Sequence, residues 1–390
     1  MIGRGARLLV GGLVGLGAVG CGGATLAPLP SVATGAPIAT PSPEPAAATG
    51  SGSRSTQALD LAPPAGADFR RMQAAVAETD AGRFLEAIAA LEELRHRYPN
   101  NAMVLHELAL AYRLSKQPEK AVAMLAPFAD RLPVDTQASL ASALDDAGRP
   151  EQAAALLRVA IARHPRSGLL HSELATTLAR TGNLAEALAL YLRGVEVEPS
   201  FSATYLHLAQ LLSESPYPGL TLVHGETFRV LEPGTQRSAE MAVLMAKICR
   251  DAVQIETRNG KTETHVSLAP GALVAAPGQG TPLAGAFALK FGPRLVAAHT
   301  AGFSLASLHK ARSGFLDDLR KPDASFDWSS TPLFRWLGDL AAAGHLEAYD
   351  HWLYAPAFSD EAELWSNAHH PAMVAMAEYV SAHPLFPEHR

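Results

Sequence analysis

Cysteine is scarce in this sequence, which has only Cys21 and Cys249 among its 390 residues. Two cysteines cannot build the disulfide framework that stabilises many small secreted domains. Aromatic residues are also few, at 6% of the chain, whereas hydrophobic residues make up 48%. The fold must therefore be stabilised by packing of small and aliphatic side chains, and this composition suits closely packed helices.

Long apolar runs are missing as well. The run from Leu8 to Gly20 has 13 residues and is rich in glycine. It is too short to cross a bilayer core of about 30 Å as a helix. Arg4 and Arg7 precede it, and a basic start followed by a short apolar run is typical of a secretory signal peptide. We therefore predict a signal peptide over residues 1–20 and an exported protein.

Positive charge is not in excess, and motifs for catalysis are absent. The formal net charge is −6, which becomes −8 without residues 1–20, so the sequence does not indicate nucleic-acid binding. It contains no phosphate-binding Gly-rich loop, no GxSxG, no HExxH and no carboxylates paired at useful spacing. Ser304 in the segment GFSLA lacks the closing glycine of a nucleophile motif. We predict neither an enzyme nor a cofactor.

The apolar run ends in Ala18-Val19-Gly20-Cys21. This segment resembles the lipobox of bacterial lipoproteins, in which small residues precede a cysteine that is diacylated and becomes the new amino terminus. The resemblance implies a lipid on Cys21 that anchors the protein in a bilayer, each buried methylene contributing about 0.8 kcal/mol. Ala18 stands where the family usually has Leu. The alternative is an ordinary signal peptide that contains Cys21 by chance.

The residue after the cysteine bears on the destination of a lipoprotein. In lipoproteins of bacteria with two membranes, Asp at this position often signals retention in the inner membrane. Here the residue is Gly22, so the resemblance implies the outer membrane rather than the inner one. Residues 22–66 contain eight prolines and no aromatic residue. Such a composition buries too little apolar surface to fold, and we predict a disordered tether over residues 21–66.

From residue 67 the sequence repeats itself. Equivalent prolines end successive units at intervals of 34, 32, 34 and 34 residues, at Pro99, Pro133, Pro165, Pro199 and Pro233. Three units have a glycine between two helical patterns, where a tight turn requires a positive φ: Gly82, Gly148 and Gly182. Small residues recur early in the second helix, at Ala87, Ala121, Ala153 and Ala187, and allow the paired helices to approach closely.

This pattern resembles the tetratricopeptide repeat (TPR), a helix–turn–helix unit of about 34 residues. The resemblance covers residues 67–235, with four good repeats and a degenerate fifth at 202–235. It implies a mainly α fold: a TPR-type α-solenoid of helical hairpins, followed by a small α+β or helical carboxy-terminal region over residues 236–390. Each unit buries its apolar face only against its neighbours, so several are needed for stability.

In TPR arrays the first helices line an inner groove that binds proteins. Carried over to this chain, the groove presents Met72, Val76, His106, Leu110, Arg113, Ser142, Asp145, Thr176, Arg180 and Gln210. Of these, we predict that a protein partner is bound by His106, Arg113, Asp145, Thr176, Arg180 and Gln210. Arg113 and Arg180 are expected to be exposed, with Asp145 between them. The alternative is a solvated surface without a ligand.

Residues 236–390 resemble no family that we can name. A helix is predicted over residues 238–253, and Asn259-Gly260 between alternating segments predicts a β-hairpin. Residues 270–288 suggest a loop, Phe287–Phe291 a third strand, and the remainder five helices. All four tryptophans lie between Trp328 and Trp365 and are expected to form a core, with a binding patch as the alternative. Nearby histidines, including His345 and His351, match no metal-ligand spacing, so no metal site is predicted.

These observations favour two classes of function. The first is a membrane-anchored scaffold or assembly lipoprotein of the bacterial cell envelope, which binds a protein partner through the TPR groove. The second is an enzyme, or a module for small molecules or glycans, in residues 236–390 with the repeats as a recruiting arm. The absence of catalytic motifs favours the first.

Overall fold

The structure is a computed structural model that describes residues 58–215, 217–258, 261–268, 283–321, 327–328 and 331–387. The predicted signal peptide, Cys21 and the tether up to residue 57 lie outside the described residues. Two compact units are present, and the boundary between them falls between Val197 and Glu198. Within the described ranges, no helix combines the length and apolar character needed to cross a membrane.

The first unit contains eight helices in four hairpins. They are α1 (Gly66–Asp80), α2 (Phe84–Arg97), α3 (Ala102–Leu114), α4 (Pro118–Leu125), α5 (Val134–Asp146), α6 (Pro150–Arg163), α7 (Gly168–Arg180) and α8 (Leu184–Val197). Each odd-numbered helix packs against the helix that follows it. The odd-numbered helices also form a row, because α1 contacts α3, α3 contacts α5 and α5 contacts α7. The predicted helix–turn–helix repeats are therefore confirmed.

The turns inside these hairpins need a left-handed residue. Gly82, Gly148 and Gly182 have φ angles of 76°, 74° and 84°, as the sequence predicts. In the second hairpin the equivalent residue is Lys116, which has a φ of 63°. The same turn geometry therefore recurs in all four hairpins, and only the second one forms it without glycine.

Small side chains allow the two helices of each hairpin to approach. Ala87, Ala121, Ala153 and Ala187 are completely buried. The larger residues four positions later, Leu91, Leu125, Leu157 and Tyr191, are buried as well. Burial of one apolar side chain of this size contributes about 1.5–3 kcal/mol. The small and large residues that recur four positions apart in the sequence are thus the residues that pack inside each hairpin.

The single 32-residue interval has a local explanation. Helices α3 and α7 begin three residues after Pro99 and Pro165, and Asn101 and Ser167 cap them by accepting hydrogen bonds from the backbone N–H groups of Val104 and Leu170. Helix α5 instead begins directly after Pro133. The third repeat therefore lacks two residues in the connection between repeats, and the helices themselves keep their register.

The predicted tether ends earlier than residue 66. Asp60 pairs with Asn101 through a backbone bridge, and the Asn101 side chain donates a hydrogen bond to the carbonyl of Ala62. Residues 58–65 thus have a defined structure against the first unit, which corrects the expectation of disorder up to residue 66. Proline and alanine content alone did not reveal this, because the partner residue lies some 40 positions away.

The second unit is mainly helical with one β-hairpin. Its elements are α9 (Ser202–Ser213), α10 (Gly219–Leu231), α11 (Gln236–Asp251), β1 (Val253–Arg258), β2 (Lys261–Val266), α12 (Leu283–Thr300), α13 (Leu305–Leu319), α14 (Pro332–Ala342), α15 (Leu346–Tyr354), α16 (Ser359–Ala368) and α17 (His370–Ala382). The degenerate fifth repeat is the α9–α10 hairpin. It belongs to this unit because α10 packs against α11 and α12, with most of its residues buried.

Several sequence predictions for this unit are confirmed and one is wrong. Strands β1 and β2 pair antiparallel in the register set by Asn259-Gly260, although these two residues lie outside the described ranges. The third strand over Phe287–Phe291 is wrong, because this segment is part of α12. Phe287 and Phe291, one helical turn apart, both pack on Phe315 with ring centroids 5.2 and 5.3 Å away. Periodicity alone could not distinguish a short buried strand from a helix here.

The four tryptophans divide between core and surface. Trp328 and Trp336 are buried, and Trp328 packs edge-on against Phe315 and Phe334. Trp352 and Trp365 are only half-buried. Trp365 stacks between His351 and His369, with ring centroids 4.1 and 4.3 Å away. The expectation of a tryptophan core thus holds for two of the four.

Candidate protein-binding surface

The first helices of the four hairpins, α1, α3, α5 and α7, form one continuous row, which we call the first-helix surface. The predicted binding residues of the first unit all lie on it. Val76, His106, Leu110 and Thr176 are partly exposed, and Arg180 is exposed. Met72, Arg113, Ser142 and Asp145 are buried. Gln210 lies on α9 in the second unit and hydrogen-bonds His207 there, so it is separate from this set.

Arg113 is held inside the row. Its Nε and Nη2 atoms each lie 3.0 Å from Oδ2 of Asp146 on α5, and the residue is only 7% exposed. The Nη1 atom is buried without a hydrogen-bond partner among the described residues. The expectation that Arg113 is exposed is therefore wrong. Its guanidinium group joins α3 to α5. The spacing of residues along the sequence could not distinguish this buried position from one that faces solvent.

Arg180 occupies the opposite side of the same acidic pair. Its Nη1 atom donates to Oδ2 of Asp145 at 2.7 Å and lies 3.4 Å from Oδ1 of Asp146. The Arg180 side chain is 49% exposed. Asp145 lies on α5, the helix between those of the two arginines, but the carboxylate that contacts both arginines is Asp146; the two acids together link α3, α5 and α7. The Arg180 side chain is therefore accessible to a partner, whereas that of Arg113 is not.

Further polar contacts join the same helices. His106 Nδ1 lies 3.2 Å from Ser139 Oγ, which connects α3 to α5. Ser142 Oγ lies 2.7 Å from Glu173 Oε2, which connects α5 to α7. Thr176 instead contacts the hydroxyl of Tyr191 at 2.9 Å, within its own hairpin. The first-helix surface is thus a network in which most polar groups already have partners.

Sequence reasoning missed Ser139, Asp146 and Glu173. Ser139, Ser142 and Asp146 lie at i, i+3 and i+7 in α5, so they share one helical face. That polar stripe in an otherwise alanine- and leucine-rich helix was the available signal. Its partners could not be assigned from sequence, because each contact spans about one repeat along the chain.

The electrostatics of the surface follow from burial. Burial raises the pKa of Glu173, and the hydrogen bond from Ser142 only partly opposes this effect. Burial also raises the pKa of Asp145, although Arg180 acts in the opposite direction. Desolvation disfavours the charged form of a carboxyl group, and the neighbouring Asp146 adds repulsion. Three carboxyl groups therefore face two guanidinium groups at the centre of the surface.

Comparison with known proteins identifies the repeats. Residues 72–130 and 139–200 match the family model of the tetratricopeptide repeat. This chain contains tetratricopeptide repeats. The two matches correspond to the four hairpins of the first unit, and they end before α9. The TPR region is therefore the part of the chain that carries the first-helix surface.

Matches among solved structures include MamA and YrrB. MamA is 19% identical, with 47% of this chain and 99% of that chain covered and a TM-score of 0.32. MamA MSR-1 is 17% identical, with 42% and 96% covered and a TM-score of 0.30. YrrB, described as a TPR protein with an unusual peptide-binding site, is 14% identical, with 44% and 89% covered and a TM-score of 0.30. A search of curated proteins finds no match.

Other candidate sites from the sequence have structural roles. Ser304 caps α13 and exchanges hydrogen bonds with Ser307 in a capping box. Cys249 is completely buried, and burial raises the pKa of its thiol to about 12, as expected of a packing residue. His345 packs against Tyr379 with the two rings tilted by 45°, and His351 stacks on Trp365. Among the described residues, no group of three or more His, Cys, Asp or Glu side chains is arranged to hold a metal ion.

Proposed function

We propose that this protein is a protein–protein interaction scaffold whose TPR region binds a segment of a partner protein along the first-helix surface. The observation that supports this most directly is the Arg180 side chain, which is 49% exposed and is held against Asp145 on a row of packed helices. Arginine is enriched among residues that dominate protein interfaces. An arginine held in place by a buried carboxylate loses less conformational entropy on binding than a free one.

The partner contacts are assigned to side chains that remain accessible. Arg180, His106 and Thr176 would touch the partner, and Leu110 would add an apolar contact. Arg113 and Asp145 act indirectly in this proposal, because they are buried and hold the exposed groups in place. Gln210 lies in the other unit and is left out of this surface.

We further propose that the scaffold is anchored to a membrane through a lipid on Cys21, in the bacterial cell envelope. The support comes from the lipobox-like segment Ala18-Val19-Gly20-Cys21 after a short apolar run. The segment from residue 22 to 57 would then connect the lipid to the folded units. Gly22 favours the outer membrane over the inner one.

The test uses two arginines of similar exposure. Arg180 and Arg158 are 49% and 48% exposed, and each forms an ion pair, but Arg158 lies on the second helix α6. Full-length protein carrying a photo-crosslinking residue at Thr176 would be used to capture partners in intact cells, with Arg180→Glu or Arg158→Glu introduced. We expect Arg180→Glu to reduce crosslinked partner about tenfold or more, which corresponds to about 1.4 kcal/mol.

Arg158→Glu should leave the crosslinked partner unchanged. Equal losses for both substitutions would assign the effect to net charge rather than to the first-helix surface. Undiminished crosslinking in a folded Arg180→Glu variant would exclude this surface as the binding site. A crosslinking residue at Leu85, which is highly exposed on α2, provides the background level of capture.

A further inference from the structure

The second unit contains a cleft of about 240 Å³ between α13 and the turn that joins α14 to α15. His309, Ser313, Asp317 and Arg320 lie on its α13 side, at spacings of four, four and three residues that place them on one face. Glu347, near the start of α15, faces them. The cleft is smaller than the pockets of about 300–1,000 Å³ that hold drug-sized ligands.

His309 is fixed at this cleft by a carboxylate that has no contact with solvent. Its Nδ1 atom donates a hydrogen bond to Oδ2 of Asp350 at 2.8 Å, and the Asp350 side chain is 0% exposed. Because a carboxylate can only accept, Nδ1 must carry a proton. The Nε2 atom is then the ring nitrogen left to act on a ligand, and the imidazole cannot rotate without breaking the bond to Asp350.

The groups behind His309 form a buried network of charges. Arg312 donates from Nε to Oδ1 of Asp350 at 2.7 Å and from Nη1 and Nη2 to Glu226 at 3.0 and 2.7 Å. These three groups are buried, and the buried Arg229 also interacts electrostatically with Glu226. The hydrogen bond that His309 donates to Asp350 raises the pKa of His309, since it favours the charged form of the ring. A protonated His309 presents an N–H donor and a positive charge at Nε2.

The remaining groups of the cleft carry charges of both signs. Ser313 lies one helical turn beyond His309 and offers a hydroxyl donor beside it. Glu347 and Asp317 are exposed carboxylates at the rim. Arg320 lies 3.4 Å from Asp317 and donates a hydrogen bond from Nη2 to the carbonyl of Gly338. A simple anion would be repelled by the two acids, and a simple cation by His309 and Arg320. A ligand with both charges satisfies both sets of groups.

We propose that this cleft binds a small zwitterion of amino-acid size, whose carboxylate accepts hydrogen bonds from His309 and Ser313 and whose ammonium group pairs with Glu347. This site is independent of the TPR surface, since it lies wholly in the second unit. It gives residues 236–390 a small-molecule-binding role in place of a catalytic one.

The test measures binding of free amino acids to the full chain. Each of the standard amino acids would be added at millimolar concentration in a thermal-unfolding assay, since a ligand that binds only the folded state raises the melting temperature. The strongest would be titrated by calorimetry beside acetate and methylammonium. We expect at least one amino acid to bind about tenfold more tightly than either fragment.

Variants assign the binding to the cleft. Ser313→Ala and Glu347→Gln change only groups at the cleft and leave the buried ion pairs intact, so they are expected to fold and to weaken binding about tenfold. Glu363→Gln, an exposed carboxylate on α16, is the matched control and should bind normally. No binding by any amino acid, equal binding of acetate, or normal binding by both cleft variants would each overturn the proposal.

Discussion

Arg113 lies within the first-helix surface but is not accessible to a partner. It is buried between α3 and α5, where two of its nitrogens donate to Asp146. We expect Arg113→Ala to lower the free energy of unfolding by about 1–3 kcal/mol, because Asp146 loses its principal partner and a long buried side chain leaves a gap. Urea unfolding followed by circular dichroism would measure this.

Arg158→Ala is the control for that experiment, because its ion pair with Glu186 is exposed. Exposed pairs contribute about 0–1 kcal/mol, so the control should change stability little. An Arg113→Ala variant as stable as the Arg158→Ala variant would contradict the burial of the Arg113 guanidinium group.

His309 makes stability depend on pH. Its hydrogen bond to Asp350 is the main cause of its raised pKa, opposed by burial and by the nearby Arg312, and Glu347 adds to the rise. The folded state therefore binds the His309 proton more tightly than the unfolded state does. The resulting stabilisation is complete below about pH 6.5, the ordinary value, and is lost as pH rises through the raised pKa of the folded state.

We expect the free energy of unfolding of the native protein to fall, relative to His309→Gln, as pH increases above about 6.5. Urea titrations at several pH values would give the difference between the two proteins. Neighbouring His351 does not confuse the result, because burial lowers its pKa and it titrates below this range. A constant difference, or one that grows with pH, would show that His309 is not protonated against Asp350.

At the scale of the element, the second hairpin has a residue that does not suit its turn. Lys116 adopts a φ of 63°, where Gly82, Gly148 and Gly182 have similar angles in the other hairpins. A side chain at a positive φ lowers the free energy of unfolding by about 1–2 kcal/mol. Glycine removes this strain but recovers only part of the free energy, because glycine has more conformational freedom in the unfolded chain. We expect Lys116→Gly to raise the free energy of unfolding by about 0.5–1 kcal/mol.

The reverse change at an equivalent turn provides the comparison. Gly148→Ala puts a side chain where φ is 74° and nothing lies within 4 Å of the new Cβ atom, so any loss comes from the backbone alone. It should lower the free energy of unfolding by about 1 kcal/mol. If both substitutions shifted the thermal midpoint in the same direction, the left-handed turn would not be the cause.

For the whole molecule, the proposed lipid anchor on Cys21 gives a prediction about attachment to a membrane. Of the two cysteines, Cys21 is the one proposed to carry the lipid. Cys249 is buried, and burial raises the pKa of its thiol to about 12. We predict that Cys21→Ala releases the protein into the soluble fraction, because two or three acyl chains supply the firm anchoring. Fractionation after a high-salt wash, followed by immunoblotting, would measure this.

Cys249→Ala should remain in the membrane fraction, which separates lipidation from a general effect of removing a thiol. Recovery of the Cys21→Ala protein in the membrane fraction after the same wash would show that another part of the chain provides attachment. Mass spectrometry of the amino-terminal peptide would then reveal whether Cys21 carries a lipid at all.

The sequence alone determined the repeats, because their signals are local and periodic. Prolines at regular intervals, glycines at the turns and small residues such as Ala153 in the hairpin interiors follow from the geometry of two paired helices. The β-hairpin at Asn259-Gly260 and most helices after residue 303 were predictable for the same reason. None of these features depends on residues far away along the chain.

Only the tertiary structure decided which polar residues are accessible and which are paired. Arg113 and Arg180 have nearly equivalent positions in their repeats, yet one is buried against Asp146 and the other is half exposed. The helix over Phe287–Phe291 and the link from His309 to Asp350 likewise depend on partners from other elements. Burial and pairing are properties of the packed chain, whereas periodicity specifies only which face of a helix a residue occupies.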